Sequence, residues 1–368
     1  MTRLVLIGAG HVHIGLLQRA QRLRSAGLDI TLVDTGSFTP GADGSRYLLD
    51  FEAASARRRL VRNLCAESRV AHCDDRAIGV DTRHRRIWLA SGERLDYDLL
   101  SFNVGRDMDT SGLDATANRM QLWRSSAMRD MAQFGQTLAG TDSPSRRRPY
   151  IAVVGATNEA ARIVSALSVL DAGPTLKPAI NWYLPGSYLL PAGPAGAARR
   201  LGRMLSRRGV QIFFSSAIAA LDDRHVVSRD GRLFAADHVV VADRAVAPRI
   251  IHAAVLPATD AGLYVTQRLQ SPADPRVFAV GSCAQRIGGA GLPAQDVVGQ
   301  LDVLTHNLIA TIRRRPLRRY KTSQRSSAID MHDGSAIAWL GHVWWHNRLA
   351  AWLEQRRAAR IDQALGLR

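Results

Sequence analysis

Apolar residues gather in short runs that end in glycine or aspartate, and the stretches between them carry helical periodicity. Arg3 to Gly8 (RLVLIG) predicts a buried strand. From His11 to Ser25, Leu16, Leu17, Ala20 and Leu23 fall on one face and predict a helix. Asp29 to Asp34 (DITLVD) predicts a second buried strand, completing a β-α-β unit. The same grammar returns at residue 150, with a strand over Tyr150 to Gly155 (YIAVVG), a helix over Asn158 to Leu170 and a strand over Ala179 to Leu184 (AINWYL). Further strands are predicted at Ile87–Leu89, Leu99–Asn103, Val210–Phe214, His238–Ala242 and Arg276–Val280, and a helix over Leu292 to Thr311. Two such starts in 368 residues predict an α/β protein with two Rossmann-like dinucleotide domains, the second inserted in the first. The expected boundaries are 1–112 with 251–325 for the first, 113–250 for the second, and a helical C-terminal segment over 326–368. Pro144, the Arg146 triplet and Pro149 suit an exposed connection between them.

The first turn carries the clearest chemistry. Gly8-Ala9-Gly10-His11-Val12-His13 stands between a strand and a helix. Gly8 permits the tight turn, and Gly10 lets the backbone approach a pyrophosphate seated on the helix N-terminus. His13 takes the third position of G-x-G-x-x-G, so the helix–strand contact there must differ. Asp34 ends the second strand, where a carboxylate accepts hydrogen bonds from ribose hydroxyls. His11 and His13 point to different helix faces, which favours packing or hydrogen bonding over a metal site. The second turn, Gly155-Ala156-Thr157-Asn158-Glu159-Ala160, keeps only its first glycine, and no acid ends the strand that follows. It reads equally as a nicotinamide site and as a purely structural unit.

Composition refines this picture little. The net charge is +17, and all but two of the basic residues are arginine, the exceptions being Lys177 and Lys321. The arginine triplets are scattered, without interleaved aromatics or zinc-ligand spacing, so nucleic-acid binding is not expected. Cys65, Cys73 and Cys283 form no close pair for thiol–disulfide work. The N-terminus has no apolar leader and no apolar run is long enough to span a bilayer, so a cytoplasmic protein is expected. Near the C-terminus, Trp345, Leu349, Trp352 and Leu353 share one helical face beside arginines. Trp and Arg in that arrangement favour a lipid–water interface, while core packing or a homodimer contact is the other reading.

The chain resembles the pyridine nucleotide-disulfide oxidoreductase superfamily. Within it, the chain is most similar to type II NADH dehydrogenase-like proteins and to the oxidoreductase module sometimes fused to selenide, water dikinase. The matching segments are LVLIGAGHVHIGLLQR at the N-terminus, YDLLSFNVGR at 97–106, RVFAVGSCA at 276–284, GLPAQDVVGQLDVLTHNL at 291–308 and RRRPLRRY at 313–320. The resemblance implies FAD on the first turn, held by Gly8, Gly10, His11 and Asp34, with Gly105 near the flavin. It implies Gly281 and Ser282 at the ribitol, where relatives carry Gly-Asp, a helix from about Gln295 aimed at the flavin pyrimidine, and Cys283 near the flavin. It places Gly155 on an NAD(P)H turn. There Arg162 replaces the family's glutamate, and Ala242-Asp243-Arg244 stands for an A-T-G turn. The implied function is an FAD-dependent oxidoreductase that passes electrons to a quinone or another small acceptor, with NAD(P)H an open donor and peripheral contact at the inner membrane face. The alternative is a degenerate flavoprotein fold that binds a nucleotide or partner without catalysis.

Overall fold

A computed structural model of the chain describes residues 1–41, 44–110, 113, 120–124, 128–139, 148–170, 177–243, 245–289, 291–321 and 326–367. The connection proposed around the Arg146 triplet lies mostly outside them.

The N-terminal apolar run is a strand, Thr2–Ile7, in which Leu4, Val5, Leu6 and Ile7 are all buried. A strand apolar on both faces belongs inside a parallel sheet covered on both sides. It is the central strand of five, in the order Val277–Ala279, Leu99–Phe102, Thr2–Ile7, Leu28–Val33, Ala71–Cys73, all parallel. The chain leaves this strand toward Leu28–Val33 and returns on its other side with Leu99–Phe102. The carboxyl end of the sheet therefore has a topological switch point between Gly8 and Asn103, where ligands of open α/β sheets bind. The helix after the first strand runs His11–Leu17 and a second piece runs Ala20–Ser25, so the helix expected over His11 to Ser25 is broken at Gln18-Arg19. Helix Val297–Ile312 covers it, with Leu301 against Gly15.

A second parallel sheet repeats this plan, in the order Gln121–Arg124, His238–Val241, Tyr150–Val154, Ala179–Tyr183, Gln211–Phe213. The repetition goes further than the two β-α-β starts. Before each returning strand stands a three-stranded antiparallel meander, Ala77–Asp96 in the first unit and Ile218–Ala235 in the second. The second switch point lies between Gly155 and Ala242. The fold is thus α/β with two dinucleotide-type units.

The C-terminal segment corrects one expectation. It opens with an antiparallel sheet, Ser326–Asp330, Ala336–Leu340 and Val343–Asn347, and only then forms a helix, Arg348–Ala364. Trp345 lies on the last strand and does not share a helical face with Leu349, Trp352 and Leu353. Asn347 starts the helix by accepting from the Ala350 amide, and this cap fixes the boundary. The sheet buries Ile329, Ile337 and Trp339 in the core of the second unit, and the helix buries Ile361 in the core of the first. Arg162 ties the same sheet to the second unit, its buried guanidinium donating to the Ala328 carbonyl at 2.8 and 3.0 Å.

Candidate functional site

The first switch point is organised by Asn103, which sequence reasoning did not single out. It follows strand Leu99–Phe102, and its Oδ1 accepts from the amides of Val12 (3.0 Å) and His13 (3.2 Å). Its Nδ2 donates to the Val280 carbonyl at 3.1 Å, and its own carbonyl accepts from Gly10. One side chain thereby joins the turn, the returning strand and the outer strand. Three of the expected site glycines are glycine because Asn103 passes beside them. A Cβ would stand 2.7 Å from the Asn103 carbonyl at Gly8, 2.4 Å from its side chain at Gly10 and 2.3 Å from Nδ2 at Gly281. Gly8 and Gly281 also need positive φ, +89° and +73°.

These bonds consume most of the amides at the start of the first helix. Ala9 N–H donates to Asp34 Oδ2 at 2.9 Å, and Gly10, Val12 and His13 go to Asn103. The amide of His11 is left for an anionic oxygen at the helix N-terminus. The His11 ring lies edge-on to Phe38 and donates from Nε2 to the Gly41 carbonyl (3.0 Å), and burial lowers its pKa. His13 is structural. Its Nδ1 donates to the Gly8 carbonyl (2.7 Å), so Nε2 accepts from Ser101 (2.8 Å), and burial pushes its pKa down to about 4. This neutral ring has a sign that can be checked. A histidine whose folded pKa lies below the unfolded value stabilises the fold fully above about pH 6.5, and the contribution is lost as pH falls toward 4. The loss is on the order of 3 kcal/mol. The urea midpoint is expected to fall over that window in the wild type, and His13→Asn should flatten the slope.

A cleft of about 820 Å³ opens over this turn, lined by Gly8 to His11, Asp34, Phe38, Arg58, Asn103, Gly105 and Gln133. A second of about 610 Å³ adjoins it at Gly8, Asp34, Thr35 and Val104 and runs on to Arg76, Ile78 and Pro248. Asp34 stands where the two meet, its pKa raised by burial against the bond from Ala9. Gly105 has φ +73° and open space where a Cβ would be, so a side chain there would project into the cleft. Arg58, the member of the first arginine triplet that lines the cleft, donates to Ser37 at 2.6 Å and has no carboxylate partner among the described residues. Its position within a charged run gave no sign that it alone faces the cleft.

Gly281 and Ser282 reach the same region from the outer strand. Gly281 N–H donates to buried Gln300 (2.7 Å), and the Ser282 carbonyl accepts from Arg106 Nε (2.8 Å). Helix Val297–Ile312 starts two residues after Gln295, and Asp296 caps it through the Gly299 amide. Cys283 is fully buried, with its thiol bonded to the Val280 carbonyl (3.2 Å) and its pKa pushed up to about 11 by burial. Cys65 is likewise raised to about 12, and none of the three cysteines is disulfide-bonded. The structure thus gathers Gly8, Gly10, His11, Asp34, Gly105, Gly281 and Ser282 around Asn103. Gly155 lies apart, at the second switch point.

The residues present fit a dinucleotide at the first site: a free helix amide, a nearby arginine, a carboxylate at the end of the second strand and a continuous cleft of sufficient size. Among the described residues there is no group of three or more His, Cys, Asp or Glu that could hold a metal ion.

The profile of the family described as Pyridine nucleotide-disulphide oxidoreductase matches residues 2–300. Compared by sequence with curated proteins, the chain matches none. Solved structures with the same fold include the sulfide:quinone oxidoreductase of the hyperthermophilic bacterium Aquifex aeolicus, with a TM-score of 0.77 at 14% identity over 99% of this chain and 92% of that one. NDH2 from Plasmodium falciparum, solved in complex with NADH, gives 0.73 at 12% identity over 99% and 97%. The ferredoxin reductase for the CYP199A2 system of Rhodopseudomonas palustris gives 0.71 at 18% identity over 97% and 94%.

Proposed function

Because the chain belongs to the pyridine nucleotide-disulphide oxidoreductase family, we propose that it is an FAD-dependent oxidoreductase that passes electrons from flavin to a quinone or another small acceptor. The observation that carries this reading is the Asn103-centred cleft, lined by His11 and Asp34 beside the glycine turn. Bound flavin supplies the redox chemistry, and the protein binds, orients and tunes it. The His11 amide and Arg58 hold the diphosphate, with Gly8 and Gly10 keeping the turn close to Asn103. Asp34 takes ribose hydroxyls, and the smaller cleft beyond it takes the adenine. Gly105 leaves room beside the flavin, and Ser282 offers the ribitol one hydroxyl where relatives offer a carboxylate. Three unpaired cysteines, two of them buried with raised pKa values, give no dithiol relay. Electrons therefore pass directly between flavin and their donor or acceptor. The degenerate alternative is disfavoured, because the first site keeps the glycine turn, the helix amide and the strand-end acid that a dinucleotide needs.

Visible absorption of the purified full-length chain, before and after incubation with FAD, tests the reading. A protein-bound flavin spectrum that dithionite bleaches is the expected result. A chain that takes up no flavin on reconstitution would overturn it.

The partner surface has its own support. Leu349 (57% exposed), Trp352 (44%) and Leu353 (46%) are exposed apolar residues at helical spacing on the last helix. Arg356 lies over the Trp352 ring at 4.0 Å. Exposed aromatic and aliphatic groups beside arginines suit an anionic lipid surface. No described helix is long and apolar enough to cross a membrane, so this contact is peripheral to the bilayer.

A further inference from the structure

The two switch points can be laid over each other by strand register. Ile7 pairs with Val33 and Phe102, and Val154 pairs with Tyr183 and Val241. Gly8 then corresponds to Gly155, Gly10 to Thr157, Asp34 to Leu184 and Asn103 to Ala242. At two of the three positions after the first glycine, Thr157 and Leu184, the second unit carries a residue that works against a dinucleotide.

Thr157 stands where the second glycine of G-x-G-x-x-G lets the backbone approach a pyrophosphate. Its hydroxyl accepts from the Ala160 amide (3.1 Å) and donates to the Ala242 carbonyl (2.6 Å). That pair of bonds stretches from the helix to the neighbouring strand end, across the crevice itself. In the first unit the strand side supplies the cap, through Asn103, and the helix side is bare glycine. In the second unit the helix side supplies the cap and the strand side is alanine. The exchange satisfies the helix equally well, but it puts a side chain on the helix side, where the first unit leaves bare glycine. Asp243 follows Ala242, and a Cβ on Gly155 would lie 2.5 Å from its Cβ and 2.9 Å from its carboxylate carbon. A carboxylate so close to the turn repels a diphosphate. Glu159 adds an acid in the first turn of the helix, where the helix dipole would otherwise receive the phosphate charge. Leu184, fully buried, replaces the acid that would accept ribose hydroxyls. Trp182, buried in the core, fixes the turn by donating from its indole to the Gly155 carbonyl (2.7 Å), as His13 does at Gly8.

We propose that the second glycine turn is sealed by its own residues and takes no nicotinamide dinucleotide, so that the electron donor is a molecule that reaches the first-site cleft directly. The donor statement rests on the FAD reading above, whereas the sealing of the turn does not. The second unit then serves as a scaffold that buries the C-terminal sheet and holds Arg162 against it.

The test is an anaerobic titration of the FAD-loaded full-length protein with NADH and NADPH, followed by flavin absorbance and calorimetry, with dithionite added last. The expected result is no saturable heat and no bleaching up to about 1 mM nicotinamide, followed by full bleaching with dithionite. Saturable binding below that concentration, or bleaching by either nicotinamide, would overturn the proposal. The variant Thr157→Gly/Asp243→Thr is expected to bind NADH at least roughly tenfold more tightly than the wild type. A variant that folds with the wild-type unfolding midpoint yet gains nothing would overturn the assignment to these residues. If the wild type takes no FAD, the flavin reading fails by itself, and calorimetry on the flavin-free chain still decides whether the turn is sealed.

Discussion

Asn103→Ala is expected to empty the protein of flavin and to lower its stability by on the order of 3 kcal/mol. The change strands the buried amides of Val12 and His13, and each unsatisfied buried donor costs about 1–3 kcal/mol. It also releases the Val280 carbonyl and the outer strand that positions Gly281. Flavin content after gel filtration and the urea midpoint of the flavin-free chain measure the two effects separately. Asn103→Asp divides them further. It keeps an acceptor for both amides, so most of the stability should survive. It adds a negative charge beside the diphosphate, so flavin should still be lost. Wild-type flavin content in Asn103→Ala would remove Asn103 from the centre of the site.

The position of Asn103 shows what sequence reading reaches and what it misses. Strand Thr2–Ile7, its glycine turn and Asp34 are contiguous, and their pattern follows from local sterics: an apolar run, a positive φ, an acid at the strand end. All of that was legible. Asn103 acts on helix amides ninety residues earlier in the chain, and only the parallel register of Leu99–Phe102 against Thr2–Ile7 brings it there. The family resemblance points to the neighbouring Gly105, which ends the YDLLSFNVG segment, and leaves the asparagine two residues before it unmarked. The Thr157 side chain shows the same limit. Sequence alone marked it as a lost glycine, whereas its bond to Ala242 depends on pairing between distant strands. The C-terminal error had another cause. Trp345 falls in helical spacing with Leu349 and Trp352, but short apolar runs fit either period, and the Asn347 cap decides where the helix starts.

Trp339→Ala should destabilise the chain by about 3–5 kcal/mol, the range for removing a large buried aromatic. Trp339 is 4% exposed and packs in the second unit's core with Ile329 and Ile337, close to Gly193. Trp352→Ala provides the contrast. It is 44% exposed and belongs to no buried core, so the urea midpoint should move far less, within about 0.5 kcal/mol. The same variant should sediment less with vesicles containing anionic lipid than the wild type does. Equal sedimentation of both, or a concentration-dependent dimer that Trp352→Ala abolishes, would transfer that face from lipid to a second copy of the chain. A midpoint in Trp339→Ala equal to the wild type would mean that the C-terminal sheet is an appendage.

The interleaving of the two sheets has a consequence for how the protein is made. Every strand of the second sheet lies between residues 121 and 241, whereas the first sheet waits for strand Val277–Ala279, and its covering helix ends only at Ile312. On the ribosome, the later-coded sheet can therefore pair its strands while the earlier one still presents Ile14, Gly15 and their neighbours to water, and the later-coded core closes only when Ile329, Ile337 and Trp339 arrive. The flavin cleft, begun by the first ten residues, is among the last parts of the molecule to mature.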